Sequence, residues 1–429
     1  MKHIHHILYC LLLIAGLSSC IADTILGDPD NGQVKAENAQ VMLSLSVPDT
    51  QLPSATRALT DDAAISSLYL LVFEDDVLTA KTDITSKYLN ANKGKFYVAI
   101  KESEKQVRLS LVANTDIQSP IGTTRTETLK NLTFDDASSL SNMPMYGEAN
   151  ETFDGLSRDK TYDVSVSLTR ALAKIEVQYN SSQTTEEFEF LGIEILNTNA
   201  QGYIATGQGI LSQKAIESIE IAPTGGEKVV SAYVAETTNN AANKISVLIR
   251  GKYYGTKGYY RLDMIKDKED TEITQLVRNY KYVFSLQNVN YAGRTRSAAL
   301  DGEPDNKAFN AQIMTLSADE SDILDITTDD QFFLGVNSST LQLEDNGNIC
   351  FAKLKILTNN YSEGWKIVDA PSGVTFNPGT TGGTAASDET RKVSTVWVYI
   401  DTDNVVEDFN FYITSGKIRK TIIVKLPKP

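Results

Sequence analysis

Val41, Leu43, Leu45 and Val47 alternate with Met42, Ser44 and Ser46, and Pro48 ends the run. Apolar residues at every second position predict a strand with one buried face. The same alternation returns at Val107, Leu109 and Leu111, and again at Val164, Val166 and Leu168. Residues Ile65 to Phe73 form an apolar, β-rich run, as expected of a strand covered on both faces. Further strands are predicted at Ile193 and Ile195, at Ile245 to Ile249, at Tyr253 to Leu262 and at Tyr280 to Leu286. Helical periodicity is scarce. Asp61 to Ala64 and Asp135 to Leu140 suit single turns, and Glu269 to Leu276 suits a short helix. Short strands broken by Gly, Asn, Asp and Thr predict a mostly β chain built of sandwiches. No strict sequence repeat is seen.

A last region begins near Asp322. Asp345-Asn346-Gly347 predicts a hairpin turn between Leu341 to Leu343 and Cys350 to Leu357, because Asn-Gly accepts positive φ. Trp365, Val396 to Ile400, Phe409 to Ile413 and Ile418 to Leu426 read as further strands, with Ser415-Gly416-Lys417 turning the last pair. Pro378 to Ala386 reads as a loop. Together these make one small sandwich.

The N-terminus carries a different signal. Lys2 supplies positive charge and Ile7 to Leu13 a short apolar core. That core is too short to span a bilayer and leads into Leu17-Ser18-Ser19-Cys20. The expectation is an exported lipoprotein, cleaved before Cys20, with lipid on the Cys20 thiol. Residues 21–38 then form a polar tether.

Composition narrows the chemistry. His3, His5 and His6 are the only histidines, and all lie in the leader. Histidine-dependent nucleophilic sites and histidine-ligated zinc are therefore not expected in the exported chain. Cys10 leaves with the leader and Cys20 takes lipid, so Cys350 has no intramolecular partner and reads as a buried thiol. A net charge of −15 argues against nucleic acid as a partner. Asp401 and Asp403 lack the glycine of a calcium loop and read as a solvated turn. Trp365 and Trp397 could stack on sugars, but the expectation is that both fill the core. No cofactor, no metal and no enzymatic activity are expected.

Five segments resemble the fimbrillins, the type V pilins of Gram-negative gut and oral bacteria. They are Val107 to Asn114, Met143 to Gly147, Leu168 to Val177, Ala232 to Glu236 and Val277 to Tyr282. The resemblance implies two tandem β-sandwiches, a lipoprotein precursor and assembly outside the outer membrane into a fimbria. It further implies cleavage by an Arg-specific protease after the first strand. Arg57 is the position that fits, with Ala58 as the new N-terminus. The pro-strand carrying Val41, Leu43, Leu45 and Val47 would then be replaced by a neighbouring subunit's strand. The expected organisation is a signal peptide at 1–19, a tether at 20–38, fimbrillin sandwiches at 39–178 and 179–320, and a third domain at 321–429. That third domain resembles a BACON-type or other immunoglobulin-like module, through Leu354 to Asn359 and Gly364-Trp365. A stalk pilin should end after two domains, so the extra one favours a minor or tip subunit. Partners would be other pilus subunits, the outer membrane through lipid, and a host or bacterial glycan or protein. Two alternatives stay open: a lipid-anchored glycan-binding protein that never polymerises, and an anchor subunit that keeps its pro-strand.

Overall fold

The computed structural model describes residues 38–46, 64–91, 95–179, 183–211, 215–223, 229–265, 272–306, 309, 313–316, 323, 325–328, 332–346, 349–387, 390–401, 405 and 407–426. The described chain is mostly β, with three short helices. The first core is built from β1 (Asn38–Ser46), β2 (Leu68–Glu74), β3 (Val77–Asp83), α1 (Thr85–Asn90), β4 (Phe96–Lys101), β5 (Val107–Ala113), α2 (Arg125–Asn131), β6 (Thr133–Phe134), β7 (Met145–Glu148), β8 (Thr161–Ser167) and β9 (Thr169–Arg170). One sheet runs β4-β1-β8 and the other β3-β2-β5-β7-β9. Their apolar faces share a single core. Asp75 and Asp76 turn β2 into β3 at φ 46° and 59°, which the short polar side chain of Asp tolerates. All of Leu70 to Phe73 is buried, so this strand is covered on both sides. The helices α1 and α2 carry one or two buried residues each and show no apolar stripe, which is why periodicity does not predict them.

The second core uses β10 (Ala173–Tyr179), β11 (Phe188–Asn199), β13 (Ala215–Ile221), β14 (Val229–Val234), β15 (Thr237–Thr238), β16 (Ser246–Tyr253), β17 (Thr256–Asp263), β18 (Gln275–Leu276), β19 (Lys281–Leu286), α3 (Arg296–Asp301) and β20 (Ile313–Leu316), while β12 (Gly202–Tyr203), between β11 and β13 in the chain, pairs with β6 of the first sandwich. Its sheets run β14-β10-β19-β20 and β13-β11-β16-β17. The predicted strand from Tyr253 to Leu262 is divided. Tyr254 (φ 45°) and Gly255 (φ 80°) make a tight turn, and the two strands are β16 and β17. The short helix expected at Glu269 to Leu276 is not formed over its described end. Gln275 and Leu276 instead pair with Thr238 and Thr237, and Glu269 itself lies outside the described residues.

The third core holds β21 (Asp325–Thr328), β22 (Phe333–Val336), β23 (Thr340–Gln342), β24 (Glu344–Asn346), β25 (Ile349–Thr358), β26 (Trp365–Val368), β27 (Val374–Asn377), β28 (Thr381–Gly382), β29 (Ser394–Asp401), β30 (Phe409–Ser415) and β31 (Ile418–Lys425). Its sheets run β21-β22-β25-β29-β27 and β23-β31-β30-β26-β28, with β24 also on β25. The hairpin into β25 starts from β24, where Asn346 pairs with Ile349. Leu341 lies instead in β23, which runs parallel to β31 in the opposite sheet. The stretch expected to be only a loop contributes β28, paired with β26. Cys350 is buried. Trp365 is 2% exposed and fills the core, but Trp397 is 36% exposed and does not. On β29, Val396 and Val398 face inward, so period two turns Trp397 to the other side.

Candidate strand-acceptor groove

β1 is the middle strand of its sheet. It pairs antiparallel with β4, where Ala39 faces Ile100, Val41 faces Val98 and Leu43 faces Phe96. It pairs parallel with β8, from Gln40 opposite Thr161 to Ser46 opposite Ser167. Among the described residues these are the two ladders of the sheet, and β4 and β8 do not pair with each other. Ala39, Val41 and Leu43 are fully buried, and Leu45 packs against the core from its edge. Ala39 was not singled out in the sequence because alanine adds little to an apolar pattern. The outward side chains Gln40, Met42 and Ser44 are only half-buried, and Ser46 is exposed. Lifting β1 out would therefore leave a slot with backbone donors and acceptors on both walls and an apolar floor.

Val47, Arg57 and Ala58 lie in residues 47–63, outside the described residues, as does Cys20. The chain is described again from Ala64, and there Asn114 holds it. The Asn114 Oδ1 accepts from the Ser66 backbone N–H at 2.8 Å and from the Ser66 hydroxyl at 3.0 Å. Its Nδ2 donates to the Ala64 carbonyl at 2.7 Å and to the Met143 carbonyl at 2.8 Å. Asn114 has φ 61°, a left-handed conformation that Asn accepts more readily than most residues. One side chain thus fastens the chain that follows the 47–63 segment to two other parts of the first sandwich.

The segments behind the fimbrillin resemblance meet at such fastening points. Val107 to Asn114 is β5 plus the Asn114 clamp, and Met143 supplies one of its carbonyls. Tyr146 donates to Glu148 and lies 3.2 Å from the Ser110 hydroxyl, while Arg125 also donates to Glu148. Burial, followed by the bond to Glu148, pushes the Tyr146 hydroxyl well above its ordinary value. A Cβ on Gly147 would meet the Ser167 carbonyl oxygen at 2.5 Å, so glycine lets β7 come close to β8 beside the groove. The remaining three segments join the first two sandwiches. Arg278 donates to Glu236 at 2.6 and 2.8 Å and to the carbonyls of Ile204 and Ala205 at 2.9 and 3.1 Å. Ile204 and Ala205 are buried in the first core although they follow β11 of the second sandwich. The Asn279 N–H donates to the Leu172 carbonyl at 2.8 Å. Asn114 and Asn279 could have been suspected from sequence, as asparagines bordering predicted strands. The Arg278–Glu236 pair could not, because 42 residues separate the two.

The outer face of β10 is covered as well. Lys174, Glu176 and Gln178 alternate with its core residues yet are all buried. Glu176 lies 3.6 Å from the Lys174 Nζ and 4.0 Å from the Lys281 Nζ. Burial alone would raise the Glu176 carboxyl, but Lys281 and then Lys174 outweigh it and hold the group below its ordinary range. The Lys281 Nζ donates to the Ile323 carbonyl at 3.0 Å. Val283 and Leu316 of the second sandwich form one apolar cluster with Ile323, Ile326, Phe333 and Leu357. The Arg391 Nη2 donates to the Thr315 carbonyl at 2.5 Å.

Among the described residues no group of acidic, cysteine or histidine side chains is arranged to hold a metal. No helix there is long and apolar enough to cross a membrane.

No family model matches the chain, and no curated protein matches it. Solved structures do. The tip fimbrial protein Mfa3 of Porphyromonas gingivalis, with a C-terminal truncation, is 15% identical with a TM-score of 0.46, covering 65% of this chain and 99% of its own. A fimbrilin (FimA) of the same organism is 16% identical with a TM-score of 0.44, covering 66% of this chain and 97% of its own. A putative cell adhesion protein of Bacteroides eggerthii is 16% identical with a TM-score of 0.43, covering 67% of this chain and 98% of its own.

Proposed function

We propose that this chain is a non-enzymatic structural and adhesive subunit of a cell-surface fimbria. It is exported as an outer-membrane lipoprotein on Cys20 and assembled by exchange of β1 for a neighbour's strand after cleavage between Arg57 and Ala58. The observation that carries this reading is the place of β1 as the link between β4 and β8. Val41 and Leu43 contribute roughly 1.5–3 kcal/mol each by burial, and each ladder hydrogen bond adds about 1 kcal/mol. Ordering a replacement strand costs about 1–2 kcal/mol per residue, which offsets much of this. An incoming strand with the same alternation recovers the rest, while an empty slot would aggregate. The retained β1 thus keeps the subunit monomeric until it is cut. Residues 39–178, 179–320 and 321–429 are the proposed domains. The third, beyond the two that polymerise, suits a minor or tip position.

The test is limited Arg-specific proteolysis of the purified chain, followed by sizing and by addition of a synthetic peptide spanning residues 38–47. The wild-type chain cut at Arg57 oligomerises or captures the peptide, and an Arg57→Ala chain does neither. A cut chain that stays monomeric and ignores the peptide removes strand exchange. N-terminal sequencing of protein from the cell surface separates the alternatives: Ala58 as the first residue supports assembly, and a blocked Cys20 supports an anchor or a standalone lipoprotein.

A further inference from the structure

The first sandwich does not close on its own residues alone. The chain leaves β11 at Asn199, crosses to the first sandwich, and only later enters β13. During that excursion β12 pairs with β6, Gly202 opposite Phe134 and Tyr203 opposite Thr133. The Ile204 N–H donates to the Leu132 carbonyl at 2.7 Å, and the Ala137 N–H donates to the Ala200 carbonyl at 2.7 Å. Ile204 is 1% exposed and Ala205 is fully buried, both within the first core, where Tyr233 and Ala235 from the second sandwich's chain join them. A Cβ on Gly202 would meet the Phe134 ring at 2.6 Å, so glycine lets the crossing segment lie close against it. The base of the excursion belongs to the second sandwich. The Asn199 Nδ2 donates to the Leu211 carbonyl at 3.2 Å, and the Asn199 N–H donates to the Thr237 hydroxyl at 2.9 Å. That hydroxyl donates in turn to the Ala235 carbonyl at 2.9 Å. Arg278 fixes the far end through the carbonyls of Ile204 and Ala205.

We propose that the segment from Ala200 to Ala205 is a fixed strap that keeps the first sandwich folded while its β1 slot is empty. Two pieces complete the core around β2, β5 and β7, namely β1 and this strap. They are fastened differently. β1 is held by two ladders and its inner side chains, and more than twenty residues separate it from β2. The strap is tied at both ends to a second folded body. It therefore makes its apolar contacts without the entropy cost of ordering a free segment. Loss of β1 uncovers the core at Ala39, Val41 and Leu43, but Ile204 and Ala205 stay in place and keep their part of it closed. The second sandwich thus acts as a built-in complement of the first. The role during an empty slot rests on the strand exchange proposed above, whereas the support of the first core does not.

The experiment is hydrogen exchange on the full-length, uncut chain, followed peptide by peptide with mass spectrometry. Ile204→Ala should lower protection of β2, β5 and β7 by roughly thirtyfold or more, while β16 and β19 keep theirs, although Ile204 follows β11 in the chain. Should that variant leave too little folded first sandwich to follow, Ile204→Val gives the same pattern with a severalfold loss. Loss confined to β11 and β16, equal loss in both sandwiches, or fraying of β6 alone overturns the proposal. A second arm repeats the measurement after Arg-specific cutting and removal of β1. The wild-type chain should keep β2 and β5 protected, and the Ile204→Val chain should lose that protection. A cut wild-type chain with β2 and β5 exposed, or a cut Ile204→Val chain as protected as wild type, overturns the strap. A chain that retains β1 after cutting removes strand exchange instead, and the strap's support of the first core is then decided by the uncut chain alone.

Discussion

β1 and β10 occupy the same place in two successive sandwiches and are held in opposite ways. Each is flanked by an antiparallel partner, β4 or β14, and by a parallel one, β8 or β19. β10 is buried at all seven positions, because its outer Lys174, Glu176 and Gln178 are covered. β1 buries only the inner face, and no strand of the described chain covers its outer side chains. β10 also follows β9 after two residues, whereas β1 is separated from β2 by more than twenty. One strand position is thus buried on both faces in the second sandwich and on its inner face alone in the first. Strand pairing is the same in both, and on our proposal it is the uncovered outer face that makes β1 removable where β10 is not.

Four substitutions, one of them read by acid titration, test this contrast. The largest effect is expected from Val177→Asp in β10. An unpaired carboxylate in a core exceeds about 4–5 kcal/mol, so the second sandwich should not fold, as read by loss of soluble full-length protein. Leu43→Ala in β1 should cost about 2–5 kcal/mol, but locally. Hydrogen exchange should quicken in β4 and β8 while β14 and β19 stay protected. Equal quickening in both sandwiches would show that β1 is no more separable than β10. Asn114→Ala should cost about 1–3 kcal/mol by stranding the Ala64 and Met143 carbonyls. Its signature is earlier proteolysis next to Ala64 with the second sandwich unchanged. A protease pattern identical to wild type would remove the clamp. The smallest effect concerns pH. The Glu176 carboxyl is held below its unfolded value of 4.5, so its contribution is present above that pH and fades as pH falls through the lower folded value. Acid melting should therefore steepen below about 4.5, and Glu176→Gln should flatten that dependence. A Glu176→Gln profile parallel to wild type contradicts the assignment.

Much of the fold was legible as alternation. Val41, Leu43 and Leu45 announced β1 and its inner face, and the apolar run before Phe73 announced a strand covered twice. The divided strand at Tyr254 was missed because aromatics continue on both sides of the turn and Gly255 alone marks it. The shared arrangement of β1 and β10 was invisible, since it resides in pairing order and not in residue identity. Trp397 was misjudged for a similar reason. A tryptophan in a β-rich setting usually fills a core, and only the register of β29 turned it outward beside Phe351 and Tyr399.

What sequence by itself determined is the β character, the inward face of most strands and the confinement of histidine to the first six residues, because these follow from local period and from residue identity. What only the tertiary structure decided is which strands are neighbours, that β1 bridges β4 and β8, and that Arg278 meets Glu236 and Lys281 meets Glu176. Those facts come from contacts between segments far apart in the chain, which no local pattern encodes.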